Sequence, residues 1–349
     1  MAGGGWDPTS LPVQPGLYIN FKEAAAAQIK GGARGVVAIP LKAFTGGTAT
    51  AKTFYTTSSE TEAAALFGSA NIQSIKFALQ GGAKEVLVYT MPASATAQDY
   101  TDMRAAYDTR PFNVFVFDGE YSTTEQAATK TWVTTNRGEG KHFMIVIGGN
   151  ATTDADPTQG NARTTLNADE NIINLIEGVV IDGTAYTSSQ FAPWVAGKIA
   201  GTQINRSVTY ESVPANDVTK RLTNSQIDTA LKAGSMVLTH DGEKVKIVQG
   251  LTTSKKKIRS IRARQAISND VTKTAADAYI GKIDNNADGQ AALIGAIKAY
   301  LETLEVANVL TAPIVTLDPQ HPSVGDSVFL AISYVEVDSM ERIFLTINV

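Results

Sequence analysis

Asp284-Asn-Asn286-Ala-Asp288-Gly289 sets oxygen-bearing side chains at the first, third and fifth positions, with glycine at the sixth, as the first half of a calcium loop does. Such a loop closes with a bidentate carboxylate at its twelfth position, and here that position is Gly295. The spacing therefore reads as a turn of Asn and Asp residues that opens a helix from Gly289. Asp118-Gly119 and Asp182-Gly183 end apolar runs, where open α/β sheets bind ligands. Yet no G-x-G-x-x-G opens a helix behind them, and no G-x-x-x-x-G-K-[ST] or G-x-S-x-G occurs in the chain. The three histidines, His142, His240 and His321, fall in separate segments with no second ligand at metal spacing. With no cysteine, nothing speaks for a thiol nucleophile, a disulfide framework or an iron–sulfur cluster. No catalytic, cofactor-binding or metal-ligating residue is expected. The competing reading is an α/β nucleotide- or metal-binding enzyme with its site at Asp118, Asp182 and Gly148-Gly149.

A second concentration of charge is Lys255-Lys256-Lys257-Ile-Arg259-Ser-Ile-Arg262-Ala-Arg264, six cations in ten residues. On a helix Arg259 and Arg262 share a face, and Ile258 and Ile261 point elsewhere. The run is short for nucleic acid, lacks interleaved aromatics and sits in a chain of net charge −4. It reads either as a solvated face or as a contact for an acidic protein, whose charge would set register and on-rate.

The elements that must carry these residues follow two rhythms. Residues 85–89, 113–117 and 142–147 are short apolar runs, and 175–181 reads as a fourth. Amphipathic stretches at 97–107 and 123–135 separate them, which is the pattern of an α/β layer on a largely parallel sheet. An earlier strand, 36–39, is stopped by Pro40; residues 60–67 and 71–79 read as short helices, and 190–201 as a helix covering the sheet. Residues 151–169, rich in Thr, Asp, Gly and Asn, read as an exposed loop. A helix from Asn224 ends at Gly234, a hairpin joins 235–240 to 244–248, and helices follow over 257–279 and 289–304. The last carries Ile294, Ile297, Leu301 and Leu304 on one stripe. At 349 residues more than one core is expected: an arm (1–21), an α/β domain (22–201) and a C-terminal domain (202–349), α+β overall. No apolar run approaches the ~20 residues that span a bilayer. The N-terminus lacks the marks of a secretory signal, so a soluble, cytoplasmically made protein is expected.

Both ends of the chain read as strands. Residues 1–16 hold four glycines and three prolines, a mobile leader, and Leu17-Tyr18-Ile19-Asn-Phe21 follows as a short alternating strand. At the other end Val328, Leu330, Ile332 and Tyr334 share one face of a strand. After a polar turn from Asp338 to Glu341, Ile343, Leu345, Ile347 and Val349 alternate with Phe344, Thr346 and Asn348. A strand this apolar is an aggregation hazard as a free edge, so it must be paired. Its partner is either the chain's own sheet or that of a neighbouring copy, reached by strand addition.

Tyr279-Ile-Gly-Lys-Ile-Asp-Asn-Asn-Ala-Asp-Gly289, with Ile297-Lys-Ala-Tyr-Leu-Glu-Thr-Leu304, resembles the C-terminal domain of contractile-phage tail sheath proteins. Pro15-Gly-Leu-Tyr-Ile-Asn-Phe21 is similar to their N-terminal arm, and residues 328–349 to their closing strands. The resemblance covers both ends and most of 200–349; the middle agrees in order without a motif. It implies a structural protein of a myophage or bacteriocin particle, not an enzyme, assembled in a bacterial cytoplasm without nucleic acid or membrane insertion. It implies stacked hexameric rings around an inner tube, contraction, and baseplate and tail terminator proteins as further partners. It also implies that Leu17, Tyr18, Ile19, Phe21, Ile343, Phe344, Leu345, Ile347 and Val349 mediate strand addition between subunits. An acidic partner for Lys255, Lys256, Lys257, Arg259 and Arg262 would then be the tube. A tail assembly protein that adds strands without contracting is the remaining alternative.

Overall fold

The computed structural model describes residues 34–348, together with Ile29 and the segments Ala2–Gly4 and Gly16–Tyr18. The expectations placed on Ile19, Phe21 and Val349 lie outside the described residues. The two short segments, β1 (Ala2–Gly4) and β2 (Gly16–Tyr18), pair in parallel.

The apolar runs and amphipathic stretches fold in turn as β3 (Val36–Leu41), β4 (Phe54–Thr57), α1 (Glu60–Phe67), α2 (Gln73–Gly81), β5 (Glu85–Thr90), α3 (Ala97–Tyr107), β6 (Val114–Val116), α4 (Thr123–Gly138), β7 (Met144–Ile147), α5 (Ala151–Asp154), α6 (Pro157–Leu166) and β8 (Ile172–Asn174). The strands form one six-stranded sheet in the order β4-β5-β3-β6-β7-β8, parallel except for the edge strand β4. Tyr100, Met103 and Tyr107 of α3, with Trp132 and Val133 of α4, cover one face. The other face is covered by α1, α2 and α7 (Ser188–Gly201), so the strands are buried on both sides and read as unbroken apolar runs. The helices α2 and α7 touch backbone to backbone: a Cβ at Gly197 would lie 2.0 Å from the Ala78 carbonyl oxygen.

Three expectations are corrected here. Pro40 does not stop β3. Val36 accepts from the Asn113 amide, so by alternation Pro40 also faces β6, which pairs only as far as Ala38. Its missing N–H therefore breaks no ladder bond. Residues 151–169 are not a loop but α5 and α6, each opened by a cap, Asn150 and Asp156, the latter followed by Pro157 at the first helical position. The fourth parallel strand is Ile172–Asn174 rather than 175–181, of which Val179–Ile181 enter a separate antiparallel sheet.

That sheet joins β9 (Val179–Ile181) to β10 (Thr184–Tyr186) and β12 (Asp217–Val218). A second small sheet holds β11 (Ser212–Val213), β13 (Leu238–His240) and β14 (Val245–Ile247), with α8 (Asn224–Ala233) between. Val208, Val213, Val218, Leu238, Val245 and Ile247 lie in the same core as α2 and α7. The division expected at residue 201 thus cuts through a continuous core, and the packing changes hands only after β14.

From there α9 (Ile258–Thr274) runs into a π turn, Ala275–Tyr279, followed by α10 (Ala287–Val306), β15 (Leu310–Leu317) and β16 (Leu330–Glu336). Asn286 caps α10, its side-chain oxygen accepting from the Gly289 amide at 2.8 Å. The calcium-like spacing is thus a helix start, and no cluster of three possible metal ligands occurs among the described residues. Ile297, Leu301 and Leu304 bury the expected stripe against Ala263, Ile267, Val309 and Val315, a second core, with Ile294 partly buried beside them.

Candidate assembly interface

The basic run is not a solvated face. Lys255, Lys256 and Arg264 are exposed, but Lys257, Arg259 and Arg262 are buried or half-buried. Arg262 donates to the carbonyl of Thr202, where burial, with Arg34 beside it, lowers its pKa to about 10. Arg264 Nε lies 2.6 Å from a Glu336 carboxylate oxygen at the end of β16. Arg259 donates to Ser339 Oγ at 2.7 Å and to the Asn308 carbonyl at 2.8 Å. Lys257 Nζ pairs with Asp338 and lies 3.2 Å from Glu341. As the tail advances from 336 to 341 its partners step back from 264 to 257, so it tracks α9 toward the helix N-terminus. Carboxylates at that end also suit the helix dipole. Of the five cations from which a tube contact is expected, Lys257, Arg259 and Arg262 hold partners within the chain, and Lys255 and Lys256 are exposed.

Glu341 is the centre of this arrangement. One carboxylate oxygen accepts from Ser207 Oγ at 3.1 Å and Thr209 Oγ1 at 2.9 Å, and the other from Gln249 Nε2 at 2.9 Å. Its side chain is only 7% exposed. Burial raises its pKa, but the hydrogen bonds from Gln249, Thr209 and Lys257 outweigh that and hold it below the usual glutamate range. Ser207, Thr209 and Gln249 flank the first core, and Lys257 precedes Ile258, which packs in it too, so the clasp fastens the tail to the first core. The sequence reading took Asp338 and Glu341 only as turn residues. Two carboxylates at the foot of an apolar strand, in a chain with a basic helix start, were the available signal of charge complementarity.

Beyond the clasp the tail does not turn back. Residues 343–348 pair with no strand among the described residues, and Ile343, Phe344, Leu345 and Ile347 are 69–89% exposed. Next to it, β15 and β16 form a sheet of only two strands whose outer edges carry no third strand among the described residues. Leu330 and Tyr334 pack on the second core, whereas Ile314, Phe329 and Val335 are exposed. At the other end of the chain, Leu17 and Tyr18 lie in β2.

Of the residues weighed for an enzyme site, Gly119 and Gly148-Gly149 both pack on the start of α7. Asp182-Gly183, both at positive φ, form the two-residue turn between β9 and β10. Asp118 accepts from the Lys42 amide at 3.0 Å, tying the ends of β3 and β6 together. The crevice at Gly148-Gly149 is filled by the start of α7: Ser188 Oγ lies 2.6 Å from the Gly149 amide and donates to Asp154 at 2.7 Å.

The match to known proteins agrees with this geometry. The family model for the phage tail sheath protein central domain matches residues 93–253, and that for the phage tail sheath C-terminal domain matches 252–349. The junction falls where the packing passes from the first core to the second. The chain belongs to the phage tail sheath family, and its role is that of a structural sheath subunit. It is 25% identical over 306 residues to the tail sheath protein of Clostridium phage phiCD119, covering 82% of this chain and 79% of that one. It is 27% identical to the phage-like element PBSX protein XkdK of Bacillus subtilis, covering 72% of this chain and 56% of the relative. The sheath tail protein of Desulfitobacterium hafniense shares the fold with a TM-score of 0.72 at 21% identity, over 92% of this chain and all of that one. The helical sheath of the anti-feeding prophage, solved in its contracted state, shares it with a TM-score of 0.73 at 14% identity, over 97% and 99% of the two chains.

Proposed function

We propose that this subunit polymerises by strand addition into stacked hexameric rings around an inner tube, and that the assembled sheath contracts to drive the tube through a target envelope. The observation that carries the reading is the pairing of a deficit with a surplus. The β15–β16 sheet has no third strand among the described residues, and two strands alone are marginal in water. The chain meanwhile presents an apolar strand-forming tail that its own sheet does not take up. Exchange between copies resolves both. The tail of one subunit lies on the sheet of the next, and the N-terminal strand around Leu17 and Tyr18 serves the same purpose, with Ile19, Phe21 and Val349 as its expected neighbours in the contact.

The solved anti-feeding prophage particles, whose baseplate and contracted sheath contain chains of this fold, support self-association and a baseplate contact. The tube partner falls to Lys255 and Lys256, and a terminator protein closes the far end. Assembly takes place in the host cytoplasm. The test is negative-stain microscopy and sedimentation of the purified full chain beside an Ile343→Asp/Leu345→Asp variant. Tubes or rings from the wild type and none from the variant support the reading. Normal tubes from the variant overturn it.

A further inference from the structure

The polar stretch between β16 and the tail has the length of an ordinary hairpin connection, since four- and five-residue loops commonly join antiparallel strands. The outer edge of β16, beside which the tail would fall, carries no strand among the described residues. Local sequence therefore favours a subunit that closes on itself and has nothing to offer a neighbour. It does not close because three of the four residues needed for the turn are held elsewhere, the exception being the exposed Met340. Asp338 and Glu341 are bound to Lys257, Ser339 to Arg259, and Glu341 also to Ser207, Thr209 and Gln249. An extended track along α9 and a hairpin turn are mutually exclusive conformations of the same residues.

We propose that the Glu341 clasp is a positioning device that bars the C-terminal strand from pairing with its own β16 and so directs it to a second copy of this chain. Glu341 and Lys257 are its positioning residues, and the inference rests on the strand-addition reading above. Two observations support it independently of that reading. Glu341 is nearly buried yet fully hydrogen-bonded, as a fixed anchor requires and a solvent-facing turn residue does not. The run of exposed apolar side chains Ile343, Phe344, Leu345 and Ile347 also starts within two residues of it.

The experiment uses full-length Glu341→Gln/Lys257→Met, which keeps the side-chain sizes close but removes the charge pair, beside wild type and Ile343→Asp/Leu345→Asp. Hydrogen exchange is followed in dilute, unassembled protein, and assembly is followed by sedimentation. The clasp variant is expected to gain at least tenfold protection at the amides of residues 343–348, as the strand closes on β16, and to assemble at least tenfold less readily. A merely structural role for Glu341 would not add protection there. Assembly at the wild-type concentration, or lost assembly without new protection at 343–348, overturns the clasp. Normal assembly by the Ile343→Asp/Leu345→Asp variant instead overturns strand addition itself, so the two failures are told apart.

Discussion

Replacing Leu345 and Ile347 together by alanine separates what holds the subunit from what holds the polymer. Both side chains are 82% exposed in the single chain. Taking a Leu or Ile side chain fully out of water is worth about 1.5–3 kcal/mol. Allowing for the methyl that alanine retains, each truncation should weaken an intersubunit contact by roughly 1–2 kcal/mol. Since 1.4 kcal/mol is tenfold, the pair should raise the critical concentration for assembly by about 30- to 1000-fold. The monomer loses no buried contact, so its stability should move by no more than about 0.5 kcal/mol, as for other surface changes. Sedimentation across a concentration series gives the first quantity, and circular dichroism melting of the dilute chain the second. A lowered Tm with an unchanged critical concentration would mean that the tail packs on its own subunit, and would refute the reasoning.

Other perturbations probe separate parts of the molecule. Arg104 and Glu125 pair at 2.8 Å with both side chains 10% exposed, so Glu125→Ala strands a buried guanidinium and should cost about 3–5 kcal/mol in a urea melt. Lys255→Glu/Lys256→Glu should weaken cosedimentation with purified tube, most at low salt, while leaving self-assembly intact. Glu341 has a lowered folded pKa, so its contribution is present above the ordinary value of 4.5 and lost as pH falls through the folded one. With Lys257 charged throughout, assembly should fall off only below about pH 4.5, and Glu341→Gln should flatten that part of the profile.

Much of the layer architecture was legible because it obeys short-range rules. Helix α3 starts at the Thr96 capping box and α2 ends at Gly82 in the left-handed conformation, both readable from sequence. Composition misled at 151–169: polar residues suggested a loop, although Asp156-Pro157 is a helix-start signal and Arg163 and Asn174 are buried against each other at 2.7 Å. Strand β15 went unread because Pro313 interrupts it; a register shift between Thr311 and Ile314 and the positive φ of Ala312 absorb the irregularity. The basic run failed for another reason. Helical spacing puts Arg259 and Arg262 on one face, but only the fold brings Asn308, Thr202 and the tail to that face.

The tail shows most directly how tertiary contacts override local preference. From Leu330 onward the alternation, polar turn and second alternation describe a hairpin, and nothing within those residues forbids it. What forbids it comes from distant segments: Lys257, Arg259, Ser207, Thr209 and Gln249 capture the turn. A self-closed hairpin would gain ladder bonds and apolar contacts but break the clasp and strand Glu341's donors. A free tail keeps the clasp and leaves the apolar side chains in water. Addition to a neighbour's sheet keeps the clasp and gains the ladder bonds, so the polymer is the arrangement in which no part of the chain must give up an interaction to satisfy another.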